Sequence, residues 1–244
     1  MALQQFDEMN TLKGYIEKWY GDIEMPEDAK KKRMDLCSEY TELMIYVFLL
    51  ITEQEYSDNE IVDILAERLK IIAENYIGVE ELAYINDWSV KEAKSIIERT
   101  RKQYQDEIED FEESEVEETE EETENEEEQT KPKVLHFEEF GVDIPKDEYK
   151  TSGFRACLIA IECVTSVANY DDHFQAYRDR RFNKVWMCGH FKDSRETHLE
   201  AHGQDTKIDK PFHVGESLLL FPGDITYNPD MQEIYGCKCW CQYY

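Results

Sequence analysis

Over the first hundred positions, apolar residues recur with the spacing of amphipathic helices. Between Asp35 and Gln54 they stand at Leu36, Tyr40, Leu43, Met44, Val47, Leu50 and Ile51, the i, i+3, i+4, i+7 rhythm of one helix face. Tyr46, Phe48 and Leu49 widen that stripe, which predicts a central helix covered on several sides. Ser57 followed by Glu60 is a capping box, each able to satisfy the other's orphan backbone N–H. It opens a helix with Ile61, Ile64, Leu65, Leu69, Ile72 and Ala73 on one side and Gly78 as its stop. Ser89-Val90-Lys91-Glu92 repeats the box and predicts a helix start at Ser89, running through Ala93, Ile96 and Ile97. Its last turn would be Arg99-Thr100-Arg101-Lys102, where cations favour the helix dipole. About four such helices with short connections predict a helical bundle over residues 1–103.

Beyond residue 133 the texture changes. Thr151 to about Asn183 has helical spacing, with Phe154, Leu158, Ile161, Thr165 and Ala168 along one face. Lys184 to Cys188 alternates as a strand does, and Leu218 to Phe221 is a candidate buried strand. Gly203, Gly215 and Pro222-Gly223-Asp224 punctuate the stretch as turns, and Ile234 to Cys241 is again short and alternating. The fold class expected is α+β: a helical bundle, then a small C-terminal domain over 134–244 with a helix followed by short irregular strands.

Charge supplies what separates the two. The net charge is −29, and residues 106–128 alone carry 16 acidic side chains and no basic one. Such a segment repels itself and cannot bury a core, so residues 104–133 are expected to be an extended, disordered acidic linker. Outside it the charge is −9 for residues 1–105 and −6 for 134–244, ordinary values for their size. Bulk phosphate binding by the whole surface is thereby disfavoured, although Arg178, Arg180 and Arg181 leave room for a local DNA contact. The longest apolar run, Leu43–Ile51, has nine residues against the roughly 20 a bilayer span needs, so no membrane partner is expected. The opening residues carry no secretory pattern, and an odd cysteine count of 7 suggests thiols kept reduced in a cytosol.

Candidate chemistry gathers near the C-terminus. Cys188, His190, His198, His202 and His213 fall close together, and Cys237, Cys239 and Cys241 follow. Thiolates and imidazoles suit zinc, and Cys188, His198, Cys237 and Cys239 are the candidate ligand set. Residues two apart on a flat strand are about 7 Å from one another, so Cys237 and Cys239 can chelate one ion only if a turn intervenes. The plainer alternative is that these thiols are small buried hydrophobes. Asp193-Ser194-Arg195-Glu196-Thr197-His198 reads as a loop held by an Arg–carboxylate pair and a histidine hydrogen bond. No P-loop, dinucleotide glycine turn or Gly-x-Ser-x-Gly elbow is present, and nothing singles out one Cys–His pair as a nucleophile and base.

The order of these elements resembles the C-terminal domain of the phage Mu F-like minor head (head morphogenesis, minor capsid) proteins. Arg155-Ala156-Cys157-Leu158-Ile159-Ala160 is similar to that family's helix motif, and Lys184-Val185-Trp186 to its Lys-x-Trp strand. Arg195, His198, Gly203 and Gln204 keep the family's spacing, as do Phe212, Gly215 and the Pro222-Gly223-Asp224 turn. Cys237-Lys238-Cys239 stands where the family has Cys-Arg-Cys, and the family's helix glutamate falls one residue early, at Glu162. The resemblance implies a low-copy virion component without enzymatic activity. It would be made in the host cytoplasm, placed in the head interior or at the portal vertex, and partnered with portal, capsid or scaffold proteins. It also implies that Arg195, His198, Asp224 and the Cys237–Cys239 element are a structural framework rather than a reaction centre. Two alternatives come from the residues themselves: an acidic DNA mimic that inhibits a host DNA-binding protein, motivated by the glutamate run, and a zinc-dependent hydrolase, motivated by the Cys/His cluster.

Overall fold

A computed structural model describes the backbone of residues 2–53, 55–118, 134–137, 142–145, 152–189 and 194–244. The architecture is α+β. Four helices come first: α1 (Ala2–Gly21), α2 (Glu27–Glu53), α3 (Asp58–Ile77) and α4 (Ala83–Glu118). Strands β1 (Val134–Phe137) and β2 (Val142–Pro145) pair as an antiparallel hairpin. Helix α5 (Gly153–Arg178) follows, then β3 (Asn183–Met187), the short helix α6 (Glu196–Ala201), β4 (Asp205–Lys207), β5 (Phe212–Val214), β6 (Ser217–Leu219) and β7 (Trp240–Tyr243).

Local chemistry accounts for most boundaries. At Ser57 the capping box forms as expected: its hydroxyl accepts from Glu60 N, and its own N–H donates to Glu60 Oε2 at 2.9 Å. Gly78 ends α3 in the left-handed conformation, its N–H returning to Glu74 O. Ser152 caps α5 by accepting from Arg155 N at 3.1 Å.

The second expected box does not form. Helix α4 starts at Ala83, so Ser89 lies inside it and donates to Asn86 O at 3.2 Å, while Ile85 and Trp88 carry the apolar stripe upstream. Nor does α4 end near residue 103. Arg99 and Arg101 reach sideways to Glu162 and Asp58 instead of capping a last turn, and the helix continues through the first acidic residues to Glu118. Glutamate is a good helix former, so a high local charge is compatible with a helical backbone there. The rest of the acidic segment, 119–133, lies outside the described residues.

One hydrophobic cluster contains residues of α1 to α4 together with Phe154, Ala156, Ile159, Ile161, Val164 and Val167 of α5. Helix α5 therefore does not stand in a separate C-terminal core. It packs lengthwise on α2, and Arg33 of α2 bridges the pair, donating to Asp172 at 2.7 Å and Asn169 at 3.1 Å. A second cluster, around Trp186, Phe212, Val214, Leu219 and Phe221, fills the strand region. There β4, β3 and β7 form an antiparallel sheet with Trp186 opposite Cys241, and β5 pairs with β6. Lys184 and Trp186 face inward and their neighbours in β3 are half-buried, as period-two alternation requires. Tyr84 of α4, stacked on Tyr170 of α5 at 4.3 Å and edge-on to Phe221, joins the two clusters.

Candidate functional site

The candidate site is built where α6 meets the segment before β7. Helix α6 is only six residues long, and Arg195 anchors its start by donating to the carbonyl of Tyr235. The chain then turns at Gly236 and brings Cys237 and Cys239 round as a bend rather than a flat strand, with Cys239 N donating to Cys237 Sγ at 3.4 Å. Helix α5 fixes that bend from below: Thr165 Oγ1 donates to Cys237 O at 2.9 Å and Asn169 Nδ2 to Cys239 O at 3.2 Å. Gly189 is required opposite, because a Cβ there would sit 1.9 Å from Lys238 O.

Three donors converge as a result. His198 Nδ1 lies 3.6 Å from Cys237 Sγ and 3.4 Å from Cys239 Sγ. All three ligand atoms are within 4.8 Å of one another and form a buried group that could hold a metal ion. The imidazole is 2 % exposed and the two cysteines 1 % and 3 %, so solvent does not satisfy these groups. On the other side of the ring, Nε2 lies 3.0 Å from Glu233 Oε2, a charge contact too poorly aligned to be a hydrogen bond. Thr197 Oγ1 donates to the same carboxylate oxygen at 2.8 Å and holds it in place. A cleft of 140 Å³ lined by Trp19, Ser194, Arg195, His198, Gly236, Cys237 and Lys238 reaches this group.

The thiols polarise one another. Cys237 is pushed well below the usual thiol value by the Cys239 thiol that donates to it, burial opposing and His198 assisting. Cys239 is held well above its usual value by contacts with the Cys188 and Cys237 thiols, with burial adding to them. Burial works against the His198 imidazolium, but the neighbouring Cys237 sulfur outweighs it and leaves the pKa raised. Cys237 and His198 thus each lean toward the charged form, while the second thiol, Cys239, leans toward the neutral one.

Of the four ligands expected, Cys188 is not in the converged set. Its thiol meets Cys239 but donates to Ser194 Oγ at 2.9 Å. His202 is elsewhere, its Nδ1 accepting from Cys188 N, and the His213 side chain is exposed, while His190 lies outside the described residues. Cys241 faces away, beside Lys184, and burial pushes its thiol up to about 12. It is the small buried hydrophobe of the plainer expectation, as are Cys37, Cys157 and Cys163. Glu233 was not legible as a partner of His198, from which it is separated by 35 positions and no recognisable spacing; Trp19 comes from α1 and carried no signal at all.

The remaining motif residues hold the module together. Arg155 donates to Thr100 Oγ1 at 2.9 Å and lies over the Phe48 ring, so it ties α5 to the bundle. Lys184 is buried, donates to Leu220 O at 2.6 Å and sits over Phe212; burial pulls its pKa down to about 8. Trp186 packs edge-on against His198 and Phe212. Gly203 N donates to Trp186 O at 2.8 Å. Gln204 spans β5 like a missing strand, accepting from His213 N and donating to His213 O. Pro222 O accepts from Asn169, and Gly223 lies against Ser166 of α5. Asp224 accepts from Leu220 N, Thr226 N and Thr226 Oγ1. Arg195 donates to a backbone carbonyl; Asp193, a carboxylate of the same loop, lies outside the described residues. Compared with protein-family models, curated proteins and solved structures, the chain matches none.

Proposed function

We propose that this protein is a low-copy structural component of a phage head, a minor capsid or head-morphogenesis protein that docks on portal, capsid or scaffold subunits. The observation that carries the reading is the use made of the motif residues. Arg155 ties α5 to the bundle, Lys184 joins β3 to Leu220 and Gln204 joins its turn to β5, while the cleft lined by Arg195, His198 and Cys237, at 140 Å³, is small for a substrate pocket. Within this reading the His198–Cys237–Cys239 group serves the fold, with zinc as its ion. The exposed end of α5 supplies the local DNA contact: Arg178, Arg180 and Arg181 lie beside Tyr177 and Phe182, which are 64 % and 75 % exposed. The test is sedimentation of purified heads from an infected or induced host. The protein is expected in the head fraction at a few copies per particle, and heads lacking it entirely sink the reading.

A second reading, the acidic DNA mimic, is favoured by one observation. Helix α4 continues through nine acidic residues between Asp106 and Glu118, so their backbone is regular rather than random. Replacing acidic residues of 106–128 with Gln and Ser should abolish inhibition of a DNA-binding target under this reading, and should leave head association unchanged under the first.

A further inference from the structure

We infer that His198 Nδ1, Cys237 Sγ and Cys239 Sγ, completed by Cys188 Sγ, form a closed tetrahedral zinc site that staples the C-terminal segment to α6. The inference rests on reading these residues as framework, and it adds the fourth ligand, the coordination number and the closed, structural character of the site.

Four observations carry it. The spacing is that of a chelate: zinc–sulfur bonds of about 2.3 Å and zinc–nitrogen bonds of about 2.0–2.1 Å at the tetrahedral angle place sulfur and nitrogen about 3.6 Å apart. The two sulfur–nitrogen edges are 3.6 Å and 3.4 Å. Second, the donors are soft and mixed, two thiols and one imidazole, the set that selects zinc over magnesium or calcium. Third, the ring is oriented for metal binding: Nδ1 faces the sulfurs while Nε2 faces Glu233, itself held by Thr197. A zinc-bound histidine usually donates its outer ring N–H to such a carboxylate, and at 3.0 Å a small rotation of the ring or of Glu233 would align that bond. Fourth, a further thiol neighbours the group: Cys188, just past the end of β3, donates to Ser194 Oγ at 2.9 Å and acts on the Cys239 thiol.

Burial separates a structural site from a catalytic one. The three converged donors are at most 3 % exposed, which suits a site whose four positions are all taken by protein. In the bound form a neutral His198 supplies a lone pair and three thiolates supply the rest, every displaced proton, including any on the imidazole, passing to solvent; one net negative charge remains. Arg195 and Lys238, lining the adjoining cleft, offset it. The ion would close a loop between α6 and the chain end, a constraint that no disulfide provides, because all seven cysteines are free.

The test uses the full-length protein, purified under reducing conditions, stripped with a chelator and titrated with Zn²⁺ or Co²⁺. One equivalent should bind, and the cobalt form should show the intense visible bands of a tetrahedral site with thiolate-to-metal charge transfer. Cys237→Ser and Cys239→Ser should each weaken binding at least about 100-fold, and Glu233→Gln by about 10- to 100-fold with the cobalt spectrum unchanged. His213→Ala, on an exposed side chain, is the control. If a cysteine variant fails to fold, alkylation of the wild-type protein decides instead. Zinc should protect Cys188, Cys237 and Cys239 and leave the labelling of Cys37 and Cys241 unaltered. Folded protein that binds no Co²⁺ stoichiometrically, or thiols labelled equally with and without zinc, overturns the site. Unchanged affinity and spectrum in Cys188→Ser would overturn its closure and favour an open, hydrolytic position. Head association is measured separately, so failure here leaves that reading to its own test.

Discussion

At the residue scale, Gly223 separates what a turn motif says from what packing demands. Pro222-Gly223-Asp224 is readable as a turn, and Gly223 does adopt φ +85°. The sequence does not say that α5 lies directly against it. A Cβ at Gly223 would fall 2.8 Å from Ser166 Cα and 2.9 Å from Ser166 N, atoms of a helix backbone that cannot step aside. At Gly203, φ is +77° and nothing lies within 4 Å of such a Cβ. Gly203→Ala should therefore cost only the conformational penalty, about 1–2 kcal/mol. Gly223→Ala adds a clash of about 1–3 kcal/mol to the same penalty. Urea midpoints of the two variants measure the difference, and equal destabilisation would show that α5 and the turn are not in contact.

At the element scale, the packing of α5 against its neighbours creates buried charge that no single helix pattern reveals. Arg99 of α4 reaches Glu162 of α5 at 3.1 Å and Glu92 at 3.5 Å, and its guanidinium lies over the Tyr235 ring at 4.1 Å. Burial pushes Glu162 up to about 7, with Arg99 pulling the other way and losing. A carboxyl whose folded pKa is raised binds its proton more tightly in the native state. Its stabilising contribution is thus complete below the unfolded value near 4.5 and is lost as pH rises through about 7. Between those limits the loss is on the order of 1–3 kcal/mol for a side chain 14 % exposed. Glu162→Gln should flatten this part of the stability profile, measured by urea unfolding at several pH values between 4.5 and 8. Burial raises Glu92, Asp171, Asp172 and Asp224 in the same direction, so a shallower slope of the same sign should remain.

At the scale of the whole molecule, the charge map and the core divide the chain differently. The acidic segment separates two compositions, yet α5, which follows it, completes the core of the helices that precede it. Further ties run the same way: Trp240 Nε1 donates to Glu24 O at 3.0 Å, and Lys238 lies over the Trp19 ring at 4.0 Å. Residues 134–244 expressed alone would leave Phe154, Ile161 and Val164 uncovered, since α2 and its neighbours bury them in the intact chain. That fragment is expected to bind hydrophobic dyes and aggregate, and to be rescued by co-expression with residues 1–118. A cooperative transition at the full-length midpoint from the fragment alone would show that the shared core contributes nothing.

What the sequence determined by itself is local: the capped helix at Ser57, the α5 stripe, the inward Lys184–Trp186 pair, and the α+β order with its acidic segment. Each follows from periodicity, caps or charge within a few residues, and such signals survive without knowledge of neighbours. Tertiary structure decided the rest. Ser89 became an interior residue because Ile85 and Trp88 had a core to enter. His198 found Glu233 and the two thiols because a bend at Gly236, held by Thr165 and Asn169 of α5, overrode the strand spacing that would have kept Cys237 and Cys239 apart. Cys188 carried the same signal as its partners and stopped one contact short, turned toward Ser194. Residue types announced the chemistry, but only the packing of distant segments set the distances on which coordination depends.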